Sequence, residues 1–255
     1  MSNIPYFYKN VDFWTRLPAG GQTQKLDFLN SLDDEDFFEM YEHFVSFWEM
    51  ERGWEYERYS EMFEGKDVVE IGSGLGYDGI TYSQHAKTYT FCDINPEQIS
   101  AVKRAAKLLN DSQYTPRTLS RSNHEYQILK DPLNHDYGKR FNALYSHGVL
   151  HHVPFETAQK EFQNVDRYLE VGSKVVLLMY PKNRWENAGK PDPTEFGMWT
   201  DPGCPWSDWY DEEKILKLVG SHYSLDNTIY WGQNSPAPSE FVNFEMTKTK
   251  ESSNE

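Results

Sequence analysis

Cysteine is scarce in this chain. Cys92 and Cys204 are the only two among 255 residues, so no disulfide framework can staple the fold. Both are expected to be reduced thiols. No apolar run approaches the roughly 18 residues that a membrane span needs, and no leader pattern opens the chain. Bases are in deficit: 25 Lys and Arg face 40 Asp and Glu, for a formal charge of −15. Nucleic-acid binders carry a basic footprint, and anionic membrane surfaces attract basic segments. Neither kind of partner is expected. Metal-ligand spacing is missing as well. His151 and His152 are adjacent and would be expected to point apart, and Cys204 has no cysteine at metal spacing, so no metal is expected. No internal repeat occurs. What is left is a soluble, cytoplasmic protein, monomer or homodimer, that must fold by burying apolar area.

Aromatics supply much of that area, at 16% of residues with eight tryptophans. Residues 1–20 are aromatic and irregular, with Tyr6, Tyr8, Phe13 and Trp14. From Asp33 to Met50, Phe37, Tyr41, Phe44 and Trp48 recur at helical spacing, and a second helix is expected over 52–63. After Lys66 the pattern alternates. Strands are expected near 67–71, 89–93, 115–120, 142–147 and 174–180, with helices near 77–86, 96–109 and 155–169. Alternation of this kind implies a parallel sheet with helices on both faces. Residues 181–210 break it, with five prolines, three glycines and four tryptophans. A helix near 211–220 follows. Two runs, 223–231 and 240–248, joined by Gln233 to Pro238, make an antiparallel terminal pair. The tail beyond Lys250 is polar and expected to be disordered.

The run from Val68 to Gly79 carries the sharpest signal. An apolar stretch ends in Gly72-Ser73-Gly74-Leu75-Gly76 and turns straight into a helical segment. A parallel sheet brings its backbone close to a nucleoside in this way. Asp93 ends the next strand, 19 positions after Gly74. An acid about 20 residues on takes ribose hydroxyls in such folds. A dinucleotide fingerprint counted from Gly72 needs glycine at 77, where Tyr77 stands. Glu70 and Asp93 would both face the ligand, which suits a positive centre with a ribose diol better than a pyrophosphate.

Val68 to Gly79, then Phe91-Cys92-Asp93-Ile94-Asn95-Pro96, then Tyr145 to Pro154 with His147, His151 and His152, resemble the class I S-adenosylmethionine (SAM)-dependent methyltransferases. Asp12 to Pro18 and Tyr180-Pro181-Lys182-Asn183-Arg184-Trp185 are similar to stretches of a bacterial small-molecule subgroup. The resemblance implies a Rossmann-like, mostly parallel seven-stranded α/β sheet with an antiparallel C-terminal pair and an N-terminal helical cap. Three parts follow: a lid and cap over 1–64, a core over 65–250 with a substrate lid at 181–210, and a tail at 251–255. SAM is the implied cofactor. Glu70, Gly72, Ser73, Gly74, Gly76, Asp93, Ile94 and His147 are its candidate contacts. Many relatives carry an acid after the third strand for the adenine amino group. Here Asn123 stands in that region, and its carbonyl can accept from an amino group.

Candidates for the chemistry are His151, His147, His152 and Tyr180, because imidazole can take a proton near neutral pH. Tyr8, Trp14, Arg184 and Trp185 are candidate acceptor contacts, Arg184 as a clamp for a carboxylate or phosphate. The expected activity is methyl transfer to an O or N atom of a small polar acceptor, such as a sugar, glycan precursor or secondary metabolite. Two alternatives are a non-catalytic SAM-binding sensor or scaffold, and a protein methyltransferase with a basic partner.

Overall fold

The computed structural model describes residues 9–10, 12–14, 26–111, 123–232 and 240–251. The chain divides into two compact units, Trp14–Leu129 and Met1–Phe13 with Lys130–Glu255.

The Trp14–Leu129 unit opens with helix α1 (Leu26–Ser31) and the 30-residue helix α2 (Asp34–Phe63). Asp33 caps α2, its carboxylate accepting from the Asp36 amide at 3.0 Å; a cap of this kind satisfies an otherwise orphan N–H. Phe37, Tyr41, Tyr59 and Phe63 are its buried rings. Two separate helices were expected here. The structure has them end to end within α2, meeting at a non-helical kink at Arg52 (φ −143°, ψ 24°). Strands β1 (Asp67–Ile71), β2 (Thr88–Asp93) and β3 (Asn123–Ile128) follow, with helices α3 (Tyr77–Ser83) and α4 (Pro96–Leu109) between them. The order is β3-β2-β1 and every pairing is parallel. Val68, Val69, Tyr89 and Phe91 are fully buried, as expected of parallel strands covered on both faces. Asn95 caps α4, and Pro96 sits at its first turn, where no N–H is missed.

β3 lies later than the expected 115–120, of which the described residues include none. Its alternation of histidine, glutamate, tyrosine and glutamine hides a strand from any search for an apolar run. Backbone pairing with β2 defines it instead, from Thr88↔Asn123 to Asp93↔Ile128.

The second unit holds strand β4 (Phe141–His147), a 3-10 turn at Leu150–His152, and helix α5 (Phe155–Asp166). The 13-residue strand β5 (Leu169–Pro181) comes next. Residues 181–210, expected to be largely irregular, contain helices α6 (Lys182–Asn187) and α7 (Pro193–Thr200) and the two-residue strand β6 (Trp209–Tyr210). Prolines begin or precede these elements instead of interrupting them. Asp192 caps α7 by accepting from the Thr194 and Glu195 amides. Helix α8 (Glu212–Val219) leads to strands β7 (Tyr223–Trp231) and β8 (Phe241–Lys248). The order is β4-β5-β8-β7. β5 is parallel to β4, and β8 runs antiparallel to both β5 and β7. The expected antiparallel terminal pair is present.

A buried ionic knot closes this unit. Lys248, 1% exposed, sends Nζ to the Asp166 carboxylate at 2.9 Å and to the carbonyls of Asp166 and Leu169. The same carboxylate accepts from the Tyr223 hydroxyl at 2.6 Å and lies 3.0 Å from His222 Nε2. The knot ties the end of α5, the start of β5 and both terminal strands. Removing one partner leaves a charge buried without compensation, at about 3–5 kcal/mol. Lys248→Met is therefore expected to lower the urea midpoint strongly. Lys217→Ala, which breaks an exposed pair with Glu213, should leave it almost unchanged. Equal midpoints for the two variants would contradict this role for the knot.

Candidate functional site

The glycine turn leaves β1 at Ile71. Gly72, Gly74 and Gly76 all take positive φ (70°, 54° and 73°), a region open to glycine and costly for other residues. At Gly76 space is also short, since an added Cβ would fall 2.8 Å from Val102. The Gly72 and Ser73 amides both donate to the Cys92 carbonyl, at 2.7 and 3.1 Å. The turn is thus sewn to the end of β2. Asp93 completes the seam: one carboxylate oxygen accepts from the Gly74 amide at 3.0 Å, the other from the Asn95 amide at 2.8 Å.

Asp93 is 5% exposed. Burial lifts its carboxyl to about 6, against the amides of Asn95, Gly74 and Ile94, which pull it down. Ile94 thus contributes its backbone to the site. Ser73 is buried, and its hydroxyl has no partner among the described residues. Trp14 reaches α4 through its carbonyl, which accepts from the Gln98 side chain at 2.9 Å.

Glu70 lies beneath the turn. A Cβ on Gly79 would meet its carboxylate at 2.1 Å and the rings of Phe91 and Tyr89 at 2.5 and 2.8 Å. Glu70 therefore supports α3 from the sheet side. Burial, then the Asp78 charge, hold its carboxyl well above the usual range. Gly79 is a site-building residue that the sequence reading left without a role. Its signal was a fourth glycine inside the first turn of a helix, where glycine otherwise costs stability.

Asn123 must be corrected. It pairs with Thr88 at the first position of β3, whereas Asp93 pairs with Ile128 at the last. Five residues of strand, about 16 Å at roughly 3.3 Å each, separate it from the ribose acid along the sheet. Its expected place after the third strand depended on a strand at 115–120. Tyr8 lies outside the described residues.

In the other unit, the ends of β4 and β5 carry the remaining candidates. His147 closes β4, with Nδ1 2.9 Å from the Tyr145 hydroxyl and its ring 6.5 Å from Trp231. His151 is fully buried, its ring tilted against those of Tyr180 and His152 at 4.0 and 4.2 Å. Neither of its ring nitrogens makes a well-formed hydrogen bond to a described residue. Burial, then the neighbouring His152, Arg184 and His147, hold its basicity well below that of free imidazole, and the Leu178 carbonyl only partly offsets them. It is neutral at physiological pH.

His152 is engaged elsewhere. Its Nδ1 lies 3.1 Å from the Trp206 carbonyl, 3.2 Å from Ser207 Oγ and 3.4 Å from Cys204 Sγ. It anchors the 204–207 loop. The Tyr180 hydroxyl donates to Asp201 at 2.9 Å, and burial raises its pKa far above the ordinary value; it is a donor and not a base. Arg184 is 7% exposed, with its guanidinium 4.1 Å from the Tyr180 ring centre. It donates to the Glu240 carbonyl at 3.1 Å and makes a loose 3.4 Å ion pair with the Glu240 carboxylate. Trp185 stacks on Trp209 at 5.1 Å and donates its indole N–H to the Pro191 carbonyl.

Residues 69–175 match the family described as a methyltransferase domain. Among solved structures, the chain is similar to the N-methyltransferase NodS of Bradyrhizobium japonicum WM9 in complex with S-adenosyl-L-homocysteine (SAH). Identity is 16%, covering 78% of this chain and 86% of that one, with a TM-score of 0.56. It is similar to the magnesium protoporphyrin IX methyltransferase of Synechocystis PCC 6803 with bound SAH, at 16% identity over 96% of this chain and 100% of that one, TM-score 0.59. It is also similar to a Burkholderia thailandensis 1,6-didemethyltoxoflavin-N1-methyltransferase, at 14% identity over 85% and 87%, TM-score 0.55. No protein of curated function matches the sequence. Residues 69–175 thus carry a methyltransferase domain, and the chain has the Rossmann-like α/β fold of the class I methyltransferases it is similar to. The matched domain, together with neighbours that hold SAM or SAH, supports a methyltransferase enzyme with SAM as its cofactor. The buried carboxylate of Asp93 and the unpartnered Ser73 hydroxyl fit that cofactor.

Two outcomes test the residues of the glycine turn. Asp93 must be ionised to accept from ribose hydroxyls, so SAH affinity should fall as pH drops through about 6. Asp93→Ala should cost about 1.5–3 kcal/mol of binding, the scale of charge-assisted hydrogen bonds, and should flatten that pH dependence. Calorimetry between pH 5 and 8 reads both. A buried acid with a raised pKa binds more protons folded than unfolded, so Asp93 makes the ligand-free fold lose stability as pH rises from about 4 to about 6. Wild-type affinity that is flat in pH would remove Asp93 from the ribose.

Proposed function

We propose that the enzyme transfers the SAM methyl group to an O or N atom of a small, polar acceptor, with His151 as general base. SAM supplies the electrophilic methyl carbon on a sulfonium. Methyl transfer is an in-line displacement that depends mainly on alignment and exclusion of water. The chain's residues then have three tasks. Asp93, the glycine turn and Ser73 bind the adenosyl group. His151 takes the proton from the acceptor hydroxyl or amine. Arg184 holds an acidic group of the acceptor, because a planar guanidinium pairs with carboxylate or phosphate in two places.

The observation that carries this reading is His151. A fully buried, neutral imidazole whose ring nitrogens make no well-formed hydrogen bond to a described residue has a lone pair with which to take a proton. The other candidates are spoken for: Tyr180 serves Asp201, and His152 serves the 204–207 loop. We take His147, beside Tyr145, as a wall of the site, and residues 1–64 and 181–210 as the cap and the specificity region. A sugar, a glycan precursor or a secondary metabolite suits such an acceptor.

His151→Ala is expected to lower methyl transfer by about 10²-fold or more, the usual scale for loss of a general base, with SAH affinity unchanged. Because burial depresses the imidazole pKa, the wild-type rate should be level from pH 6.5 to 8 and fall only in more acidic solution. Radiolabelled SAM offered with pooled small metabolites, and separately with a protein extract, separates the acceptors. Label appearing only in protein would replace a small molecule with a basic protein partner, and near-normal turnover by His151→Ala would leave His151 as packing.

A further inference from the structure

The cap helix bends where it touches the cofactor turn. α2 runs from Asp34 to Phe63 and has helical backbone angles except at Arg52. Helix breaks have local causes, among them glycine, and Gly53 follows directly. The conformation at Arg52 directs its guanidinium inward. The side chain is 6% exposed and reaches the Asp78 carboxylate, itself 8% exposed, at 2.9 Å. Trp48 covers the guanidinium, 4.4 Å from its ring centre. The Tyr56 hydroxyl donates to the same Asp78 oxygen at 3.2 Å.

Asp78 is the second residue of α3, two positions past Gly76. Its neighbour Tyr77 is held by rings of the same long helix, Tyr41 at 5.1 Å and Phe44 at 5.9 Å. Both residues of the first turn of α3 are thus gripped by α2, on either side of its break. Glycines leave the preceding turn many conformations in the absence of such a grip. The charge balance points the same way. Glu70, Asp78 and Asp93 are all buried around this turn, and Arg52 offsets the Asp78 charge that pushes the Glu70 carboxyl up.

We propose that Arg52 is a positioning residue for the cofactor turn. Through Asp78 it holds the start of α3, and with it the Gly72–Gly76 backbone, in the form that takes SAM. This rests on the assignment of that turn to the adenosyl group. Cofactor binding and order in the cap helix are then linked: what loosens one loosens the other. A bond that is present before the ligand arrives lowers the ordering cost of binding.

The test uses the full chain, SAH as probe, and the variants Arg52→Lys, Arg52→Met, Asp78→Asn and Arg52→Met/Asp78→Asn. Calorimetry well below each variant's melting temperature gives SAH affinity, and hydrogen exchange follows peptides spanning 72–80 with and without SAH. Arg52→Met is expected to weaken SAH by tenfold or more and to speed exchange at 72–80, with protection regained at saturating SAH. Arg52→Lys should recover part of the affinity. The double variant should bind no worse than the weaker single variant, because both remove one interaction. Affinity within twofold of wild type in Arg52→Met, or losses that simply add, would overturn the proposal. If Arg52→Met does not fold, Arg52→Lys and Asp78→Asn carry the same comparison. Wild-type protein that fails to bind SAH would instead sink the assignment of the turn, a separate outcome from normal wild-type binding with insensitive variants.

Discussion

The bond between the Asp93 carboxylate and the Gly74 amide governs the cofactor half of the molecule. It joins the turn after β1 to the end of β2 and converts a flexible glycine segment into a fixed edge. The two amides on the Cys92 carbonyl and the Asn95 amide on the second Asp93 oxygen extend the same seam. A carboxylate already bound to backbone N–H groups is costly to bury, and the cost appears as its raised pKa. A ligand bringing hydroxyl donors to the remaining lone pairs relieves that cost. Fold and cofactor chemistry therefore share one interaction.

Buried acid is the theme of this unit. Glu70, Asp78 and Asp93 are each less than one-tenth exposed. Each is handled differently: Glu70 by a carboxyl pKa that burial raises, Asp78 by Arg52, Asp93 by backbone amides. The second unit solves the opposite problem. It buries His151 and His152 and keeps both neutral, and it confines the positive charge of Arg184 between aromatic rings and Glu240. Neutral imidazole beside a fixed cation suits removal of a proton from a weak acid, since the cation favours the anionic form of whatever lies next to it.

The legible parts of the sequence were those set by local rules. Left-handed turns demand glycine, so Gly72, Gly74 and Gly76 stood out. Short stretches rich in β-branched and aromatic residues marked β1, β2 and β4, and proline at a first turn marked α4. The parts that stayed hidden depend on partners remote in the chain. β3 has a mixed polar pattern and is a strand because β2 supplies its hydrogen bonds, which is why Asn123 was placed at the wrong end of the strand. α6 and α7 lie in a stretch whose proline and tryptophan content conceals two short capped helices. Gly79 and Arg52 each have a role only once Glu70 or Asp78 is brought beneath or beside them.

The sequence by itself determined the class of ligand and the order of the core elements, because glycine spacing, strand-ending acids and alternation of pattern are local and need no knowledge of packing. Tertiary structure alone decided which titratable groups remain available. His147, His151 and His152 are equivalent on paper. Packing separates them: one lies beside a tyrosine hydroxyl, one makes no well-formed hydrogen bond to a described residue, and one is tied to a loop 52 to 55 residues away. Protonation and hydrogen bonding are set by burial and by neighbours, and both come from parts of the chain that meet only when it folds.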